Sequence, residues 1–387
     1  MFRIKKLNKI SAAGTDLFDS ALFTCSEEIE SPDGILVRSA AMHEYPLNKE
    51  LKAIARAGAG TNNIPVDTCT QKGIVVFNTP GANANAVKEL VIAALLISCR
   101  NIVGGIEWAK SLKGKDEVTK LVEKGKSQFI GPEILGKKLG VIGLGAIGIL
   151  VANAAIDLGM EVYGYDPYLT VDAALRLSRH VHKVNDAAAI YQNSDFITIH
   201  VPFMKETAGT ICKETIEQMK DGVRIINLAR GELVVEDDIS VALESGKVAC
   251  YVCDFPNPKT LDMKNTICIP HLGASTPESE ENCAIMAVNE LQDYLCNGNI
   301  RNSVNFPTVV CERSTGTRVC VMHKNIPAML SNITTLMGEK QYNIDHITSK
   351  FKGDNAYTII DLAETLSDMS VVESIDAIEG VIKSFII

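Results

Sequence analysis

The sequence predicts an α/β protein with two doubly wound parallel-sheet domains, followed by a small domain with the element order βαββαβ. Three observations lead to this prediction. Short apolar runs alternate with helical patterns from residue 34 to residue 295, which is typical of parallel sheets covered by helices on both faces. A glycine-rich turn joins an apolar run to a helix at residues 143–148. After residue 316 the pattern changes to one of shorter, mixed elements.

Composition limits the classes of function. A chain of 387 residues is too long for one ordinary core. The net charge of −9 argues against nucleic-acid or anionic-membrane partners. Neither a membrane-length apolar run nor a secretory leader is visible, so we expect a cytoplasmic protein. The eleven cysteines lack the spacing of a disulfide framework or a metal site, and Cys250 and Cys253, inside an apolar run, are interpreted as buried structural residues rather than a redox pair.

The first part of the chain predicts a parallel sheet. The predicted elements are strands at 35–37, 51–56 and 74–77 and a helix at 85–100. The sequence Arg56-Ala57-Gly58-Ala59-Gly60 follows the second of these strands, where a fixed cation and open backbone amides can meet an anion.

The turn Gly143-Leu144-Gly145-Ala146-Ile147-Gly148 predicts a dinucleotide site in a Rossmann-like domain. One glycine allows the tight turn, one lets backbone amides approach a pyrophosphate, and one lets strand and helix pack closely. Asp166 follows the next apolar run, at the spacing of a residue that accepts the ribose hydroxyls, and favours NAD over NADP. Later strands are expected at 196–200, 224–228, 249–253 and 266–269, and a helix at 279–295.

The last segment predicts a ferredoxin-like domain. Its expected elements are a strand at 318–323, a helix at 326–341 with Pro327 in its first turn, strands at 344–350 and 356–363, a helix opening at Ser370, and a strand at 381–387.

Taken with the stretches Asn227–Gly231, Pro270–Thr276 and Asn78–Leu90, these motifs make the chain similar to the D-isomer-specific 2-hydroxyacid dehydrogenases, and within them to the enzymes that oxidise 3-phosphoglycerate. The resemblance implies a discontinuous substrate domain (1–94 and 281–306), an NAD-binding domain (95–280), a linker (307–316) and an ACT domain (317–387). An ACT domain is a regulatory module that binds amino acids between paired copies. The resemblance also implies a homodimer or homotetramer.

In this family an arginine holds the substrate carboxylate and a histidine accepts the hydroxyl proton, and Arg230 and His271 match those positions. One departure matters. The family loop after Asp254 usually supplies a glutamate that pairs with the histidine, whereas this loop reads Asp254-Phe255-Pro256-Asn257-Pro258-Lys259. Glu278, Glu280 or Glu281 are left as possible replacements.

The resemblance assigns the other site residues. Those expected to contact NAD are Gly143, Gly145, Ala146, Ile147, Gly148, Asp166, His200, Val201, Pro202, Thr207, Ala229, Asp254, Gly273 and Ala274. Those expected to bind the substrate are Arg38, Ser39, Arg56, Ala57, Gly58 and Lys88. Serine is the possible effector, at His323, Asn325 and Asn343, and Ala328 stands where the family usually has glycine.

Two alternative functions stay open. The arginines suit 3-phosphoglycerate but also another 2-hydroxy or 2-oxo acid such as 2-oxoglutarate. The missing glutamate leaves room for a non-catalytic, NADH-sensing binding protein on the same fold, whereas Arg230 and His271 oppose it.

Overall fold

A computed structural model describes residues 1–314, 316–366 and 370–387. The described chain forms two compact units. One contains Met1–Ala82 together with Pro277–Ile387, and the other contains Asn83–Thr276. The domain limits expected from the resemblance remain predictions, and Thr315 of the expected linker lies outside the described residues.

The N-terminal segment forms a parallel sheet with the strand order β2-β1-β3-β4-β5. Its elements are β1 (Phe2–Lys6), α1 (Ala12–Thr15), β2 (Phe23–Ser26), β3 (Gly34–Val37), β4 (Ala53–Arg56), α2 (Val66–Gln71) and β5 (Val75–Phe77). Every residue of β3 and β5 is buried, which explains why these strands are visible as apolar runs. Charged residues interrupt the apolar positions of β1, so this strand is not visible as an apolar run in the sequence.

The unit Asn83–Thr276 contains a second parallel sheet with the order β12-β11-β10-β9-β6-β7-β8. Its elements are α3 (Ala84–Cys99), α4 (Ile102–Ser111), α5 (Val118–Gly125), β6 (Lys138–Ile142), α6 (Ala146–Asp157), β7 (Glu161–Tyr165), α7 (Val171–Arg176), β8 (His182–Val184), α8 (Ala187–Asn193), β9 (Phe196–Ile199), α9 (Lys213–Glu217), β10 (Val223–Asn227), α10 (Glu236–Ser245), β11 (Val248–Cys253), α11 (Pro258–Asp262) and β12 (Thr266–Cys268).

The order of this sheet reverses at β6, which lies between β7 and β9. Open α/β sheets bind ligands at such a point, outside the carboxyl ends of the strands. The two faces carry separate apolar cores. Cys250 of β11, for example, belongs to one core, and its neighbours Tyr251 and Cys253 belong to the other. The sheet is therefore covered on both faces, and its functional groups gather at the strand ends.

The C-terminal segment begins with a long helix and ends in an antiparallel sheet. Its elements are α12 (Pro277–Asn297), β13 (Arg318–Lys324), α13 (Met329–Glu339), β14 (Ile344–Lys352), β15 (Asn355–Leu362), α14 (Ser370–Asp376) and β16 (Val381–Ile386), with the strand order β14-β15-β13-β16. The element order βαββαβ and the α/β fold class expected from the sequence are confirmed.

One helix start was predicted wrongly. The helix expected at 326–341 begins at Met329, so Pro327 lies before it and not in its first turn. The cause is Ala328, which has a left-handed backbone (φ 63°) and therefore cannot belong to a right-handed helix.

The antiparallel sheet and α12 share one apolar core. Cys320, Met322 and Tyr357 of the sheet belong to the same cluster as Tyr294 of α12. Tyr357 also donates a hydrogen bond from its hydroxyl to the Gly298 carbonyl oxygen (2.6 Å). The sheet therefore closes over one end of this helix.

A buried ion pair fixes the same contact. The Arg318 guanidinium donates to both Asp361 carboxylate oxygens (2.6 and 2.8 Å), and neither side chain is more than 1% exposed. Arg318 also donates to the Asn297 carbonyl oxygen at the end of α12 (2.7 Å).

Within the described residues no single helix is long and apolar enough to cross a membrane. The pair α3 and α4, bent by 65° at its break, meets that test together by length and composition.

Candidate active site

The three motif glycines have three different surroundings. A Cβ on Gly143, whose φ is 93°, would lie 2.7 Å from the His200 carbonyl oxygen, and a Cβ on Gly148 would lie 1.9 Å from the Gly143 carbonyl oxygen. A Cβ on Gly145 would meet nothing within 4 Å in the described chain. Two glycines are thus required by packing, and the third leaves open space at the start of α6, where Ala146 and Ile147 begin the helix.

That open space is suited to an anion. The first backbone N–H groups of a helix have no partner within the helix, and the helix dipole makes its N-terminus electropositive. Gly145 is the N-cap of α6 and contributes no side-chain cap. The residues present therefore fit the pyrophosphate of a dinucleotide.

Asp166, directly after β7, is tied to the glycine turn. One carboxylate oxygen accepts a hydrogen bond from the Leu144 N–H (2.9 Å), and the other accepts one from the Tyr168 N–H (2.8 Å). This carboxylate is therefore fixed in place beside the turn. Each oxygen has a further lone pair with which it could accept a bond from a ribose hydroxyl.

The end of β9 supplies a neutral histidine and an ordered loop. Burial lowers the pKa of His200 to about 4, so its ring is uncharged near neutral pH. Its Nε2 lies 3.0 Å from the Thr198 hydroxyl. The Thr207 hydroxyl donates to the Pro202 carbonyl oxygen (2.7 Å) and accepts from the Met204 N–H (2.8 Å), so Thr207 holds the loop that contains Val201 and Pro202.

The loop after β10 is organised by Asn227, a residue of the Asn227–Gly231 motif that was not among the expected site residues. This side chain is fully buried. It donates to the Arg230 carbonyl oxygen (2.7 Å) and accepts from the N–H groups of Ala229 (3.2 Å) and Arg230 (3.4 Å). Arg230 itself is exposed, and its guanidinium donates to the Ala229 carbonyl oxygen (2.6 Å).

His271 lies at the exposed end of the loop that follows β12. Its backbone is left-handed (φ 47°), which is strained for a residue with a side chain. The backbone N–H donates to the carbonyl oxygens of Asp254 (3.1 Å) and Ile269 (3.0 Å), and these two bonds stabilise the strained conformation. Within the described residues no side chain hydrogen-bonds the imidazole, and the ring of Phe255 packs 5.0 Å from it.

Asp254 follows β11 and is 1% exposed. Neither of its carboxylate oxygens has a hydrogen-bond partner in the described chain. Burial raises the pKa of this carboxyl, and the positive charges of His271 and Arg230 partly offset that rise. A buried carboxylate without a partner is costly, so it marks a position where a ligand could donate hydrogen bonds.

Two more expected residues lie around Asp254. A Cβ on Gly273 would be 3.7 Å from an Asp254 carboxylate oxygen and 3.4 Å from the Val87 side chain, so the loop with Gly273 and Ala274 adjoins the first turn of α3. Lys88 is the next residue of that turn, and its amine lies 3.8 Å from the Glu89 carboxylate.

In the other unit, the ends of β3 and β4 bring the remaining expected substrate residues together. Asn8 accepts hydrogen bonds from the N–H groups of Arg38 and Ser39 (both 3.1 Å). The Arg56 Nε donates to the Arg38 carbonyl oxygen (3.1 Å), and a Cβ on Gly58 would lie 2.6 Å from the Arg56 guanidinium. Ala57 continues this loop, where its N–H donates to the Val37 carbonyl oxygen (2.8 Å).

Two features of this cluster could not be read from the sequence. Nothing near Asn8 indicates its role, because its partners lie about 30 residues away. The Arg38 guanidinium is already paired with Glu280 of α12 (2.7 Å). Glu280, one of the possible replacements for the missing glutamate, is therefore engaged by another residue.

A separate cavity of about 450 Å³ lies in the C-terminal segment and is lined by His323 and Asn325. The two ring nitrogens of His323 lie 2.9 Å from the Lys324 carbonyl oxygen and 2.8 Å from the Thr358 hydroxyl, and burial lowers the pKa of this ring. Asn343 does not line this cavity, and its N–H donates to the Glu364 carboxylate (3.1 Å). The structure therefore joins two of the three expected effector residues.

Comparison with known proteins places this geometry in a family. Residues 92–273 match the model of the D-isomer specific 2-hydroxyacid dehydrogenase, NAD binding domain. The chain is 38% identical over 275 residues to hydroxypyruvate reductase of Thermotoga maritima, covering 68% of this chain and 85% of that protein. The chain belongs to the D-isomer specific 2-hydroxyacid dehydrogenases. NAD is the cofactor of the matched domain.

The relatives of this chain also include D-3-phosphoglycerate dehydrogenases. The chain is 36% identical over 292 residues to D-3-phosphoglycerate dehydrogenase of Archaeoglobus fulgidus, covering 73% of this chain and 53% of that protein. The chain thus spans about half the length of the curated relatives of that name. The structure of NAD+-bound 3-phosphoglycerate dehydrogenase from Entamoeba histolytica is similar with a TM-score of 0.60 and 25% identity, covering 79% of this chain and 98% of that one.

Proposed function

We propose that this protein catalyses the NAD-dependent oxidation of 3-phospho-D-glycerate to 3-phosphohydroxypyruvate, the first step of serine synthesis. The main supporting observation is the arrangement at the carboxyl ends of β10, β11 and β12. There an exposed arginine, an exposed histidine and a buried carboxylate without hydrogen-bond partners among the described residues follow neighbouring strands. Oxidation of a 2-hydroxy acid needs a carboxylate-binding cation and a proton acceptor, and Arg230 and His271 are the right types.

The cofactor, when bound, accepts a hydride from C2 of the substrate. Arg230 holds the substrate carboxylate through its planar guanidinium, which can form two parallel hydrogen bonds and so orient the C2–H bond. An imidazole nitrogen of His271 takes the hydroxyl proton. Asp254 would help to hold the nicotinamide, whose amide would donate to its orphaned oxygens. Gly145 would leave space for the pyrophosphate, and Asp166 would accept from the ribose.

Asp254 also takes part of the role of the missing glutamate. Among the positive charges that lower the pKa of Asp254, that of His271 has the largest effect. A carboxylate that attracts the charge of His271 supplies one part of what the family glutamate provides. In place of the usual carboxylate partner, the imidazole has the ring of Phe255, which limits its rotation.

A second substrate class has a specific observation in its favour. Arg38, expected to bind the substrate phosphate, is paired with Glu280, and hydroxypyruvate reductase of T. maritima is a relative over most of its own length. Reduction of an unphosphorylated 2-oxo acid such as hydroxypyruvate is therefore the second candidate.

NADH absorbance measured with the purified protein separates these functions. The panel is 3-phosphoglycerate with NAD+, and phosphohydroxypyruvate, hydroxypyruvate and 2-oxoglutarate with NADH. The variant Arg56→Ala should lower kcat/KM for phosphohydroxypyruvate much more than for hydroxypyruvate. Equal losses on both substrates would contradict phosphate recognition by this loop. Tight NADH binding without turnover of any substrate would favour the NADH-sensing protein.

We further propose that serine is an effector, that its site is the cavity lined by His323 and Asn325, and that the enzyme is a cytoplasmic homo-oligomer. Amide side chains suit a zwitterionic ligand because they both donate and accept hydrogen bonds. Serine should lower turnover, and Asn325→Ala should weaken that inhibition without changing uninhibited turnover. Calorimetry that detects no heat of serine binding to the intact protein would overturn the effector role.

A further inference from the structure

Two thiols meet directly beneath the candidate active site. Cys253 is the last residue of β11 and Cys268 the last residue of β12, and the two are register partners on adjacent parallel strands. Their Sγ atoms are 3.8 Å apart. All eleven cysteines lie within the described residues, and no other two of them form such a sulfur–sulfur contact there.

We propose that Cys253 and Cys268 are a modification site, at which a peroxide closes a disulfide and a dithiol reopens it. Register partners on neighbouring strands lie about 4.8 Å apart, within the Cα separation of about 4.4–6.8 Å that a disulfide tolerates. The Ile269 N–H donates to the Cys253 carbonyl oxygen (2.8 Å), which keeps the two strand ends in register. The remaining movement brings the sulfurs to a bond length of about 2.05 Å.

The surroundings of the two thiols differ and assign an order to the reaction. Cys268 lies on the edge strand and is half-buried, whereas Cys253 is 1% exposed. Burial raises the pKa of the Cys253 thiol to about 12, and the nearby thiol of Cys268 adds to that rise. The peroxide therefore meets Cys268 first, and Cys253 is the resolving partner.

The two steps balance. The Cys268 sulfur attacks a peroxide oxygen, the O–O bond breaks, and a sulfenic acid and one water form. The Cys253 sulfur then attacks the Cys268 sulfur, the S–O bond breaks, and the leaving oxygen departs as a second water with the Cys253 proton. Two thiols are oxidised to one disulfide, and one hydrogen peroxide is reduced to two waters. A dithiol restores the pair by exchange.

Closing this bond changes the backbone from which the site residues project. Asp254 follows Cys253 directly, and His271 lies three residues after Cys268. The hydroxyl of Tyr251, on the same strand as Cys253, lies 3.5 Å from the Asn227 amide that holds the Arg230 loop. The disulfide should therefore lower turnover while leaving the glycine turn after β6, three strands away from β11, unchanged.

Peptide mapping of the full-length protein tests the bond itself. The protein is treated with hydrogen peroxide, its remaining thiols are alkylated, and it is digested without reduction. Fragmentation spectra should show Cys253 linked to Cys268, and the link should disappear after dithiothreitol. Cys268→Ala should abolish the link. Cys250→Ala, which removes a thiol from the opposite face of β11, should retain it. Absence of the link in the wild-type protein, or a link from Cys250 instead, would overturn the proposal.

Turnover provides a second readout, and this part alone depends on the proposed function. Peroxide should lower wild-type kcat/KM at least tenfold, with recovery in dithiothreitol. Cys268→Ala should keep its turnover under the same treatment. Equal inactivation of Cys268→Ala would refute control through this pair. If no substrate is turned over, the peptide map still decides whether the disulfide forms.

Discussion

Two regions of the sheet in Asn83–Thr276 are built in different ways. Beside β6 and β7, the chain satisfies its own groups. Asp166 accepts two backbone hydrogen bonds, and Gly143 and Gly148 fit close contacts that no other residue allows. Beside β11 and β12, the groups are left incomplete. Asp254 is buried without a partner, and His271 sits on a strained backbone with no side-chain hydrogen bond in the described chain.

The glycine-turn region is thus built for binding, and the region of β11 and β12 is built for chemistry. The glycine-turn region is formed before any ligand arrives, so little reorganisation is needed when a dinucleotide binds. The region of β11 and β12 holds groups whose partners must come from ligand and substrate, and the cost of leaving them unpaired is borne by the stability of the rest of the unit. Substitution of the close-packed groups in the first region should therefore lower stability, whereas substitutions in the second region should lower function without lowering stability.

The largest effect is expected at His271. His271→Ala should lower kcat by about 100- to 10,000-fold because the proton acceptor is lost, with little change in NADH affinity or in stability. Stopped assays for kcat and fluorescence titration for NADH would measure the two quantities. Near-normal turnover would mean that the base lies elsewhere, with Lys88 the next residue to test.

Two glycines of one turn provide a matched pair. Gly148→Ala should lower the free energy of unfolding by about 3 kcal/mol, because its methyl group would overlap the Gly143 carbonyl oxygen. Gly145→Ala should leave the melting temperature near wild type but weaken NADH binding at least about tenfold, or 1.4 kcal/mol, because its methyl group occupies the space for the phosphates. Similar melting temperatures for the two variants would contradict this division of roles.

The other unit also contains a buried carboxyl group whose hydrogen bonds are incomplete within the described residues. Burial raises the pKa of Glu290 on α12 to about 8 from an ordinary 4.5, and Asn302 donates to one of its oxygens while the other is unpaired within the described residues. The folded protein therefore keeps a proton that the unfolded chain loses above pH 4.5. This group's contribution to stability is greatest below that pH and falls as pH rises towards 8.

Glu290→Gln should remove that dependence. Urea unfolding at pH 5 and pH 8 should show the variant gaining stability over wild type at the higher pH by at least about 1.4 kcal/mol, the equivalent of one pKa unit. An unchanged pH slope in the variant would show that Glu290 is ionised in the folded protein.

The smallest expected effect is a gain in stability at Asp254. Asp254→Asn should raise the free energy of unfolding of the ligand-free protein by about 1 kcal/mol, because a buried charge without a partner is removed, and should weaken NADH binding. Asp361→Asn is the control, since that carboxylate is equally buried but paired with Arg318, and its loss should cost about 3 kcal/mol. Destabilisation by both substitutions would mean that Asp254 has a partner after all.

The sequence predicted best what depends on neighbours along the chain. The glycine turn, the spacing to Asp166 and the apolar strands are local features, and they identify the dinucleotide fold directly. Contacts between distant segments were not predictable. Examples are the pairing of Arg38 with Glu280 and the cluster around Asn8. The same holds for the approach of Cys253 to Cys268, which depends on the register of two strands.

The core shared by α12 and the antiparallel sheet restricts how this part of the chain can be divided. A chain cut at residue 316 would leave the apolar face of α12 around Tyr294 open to water. It would also remove the Arg318 guanidinium, which donates a hydrogen bond to the Asn297 carbonyl oxygen at the end of that helix. The C-terminal sheet therefore cannot be removed without exposing apolar surface on α12. A gene fusion that transplanted it onto another protein would have to carry the covered helix face along with it, or rebuild that face with new apolar residues.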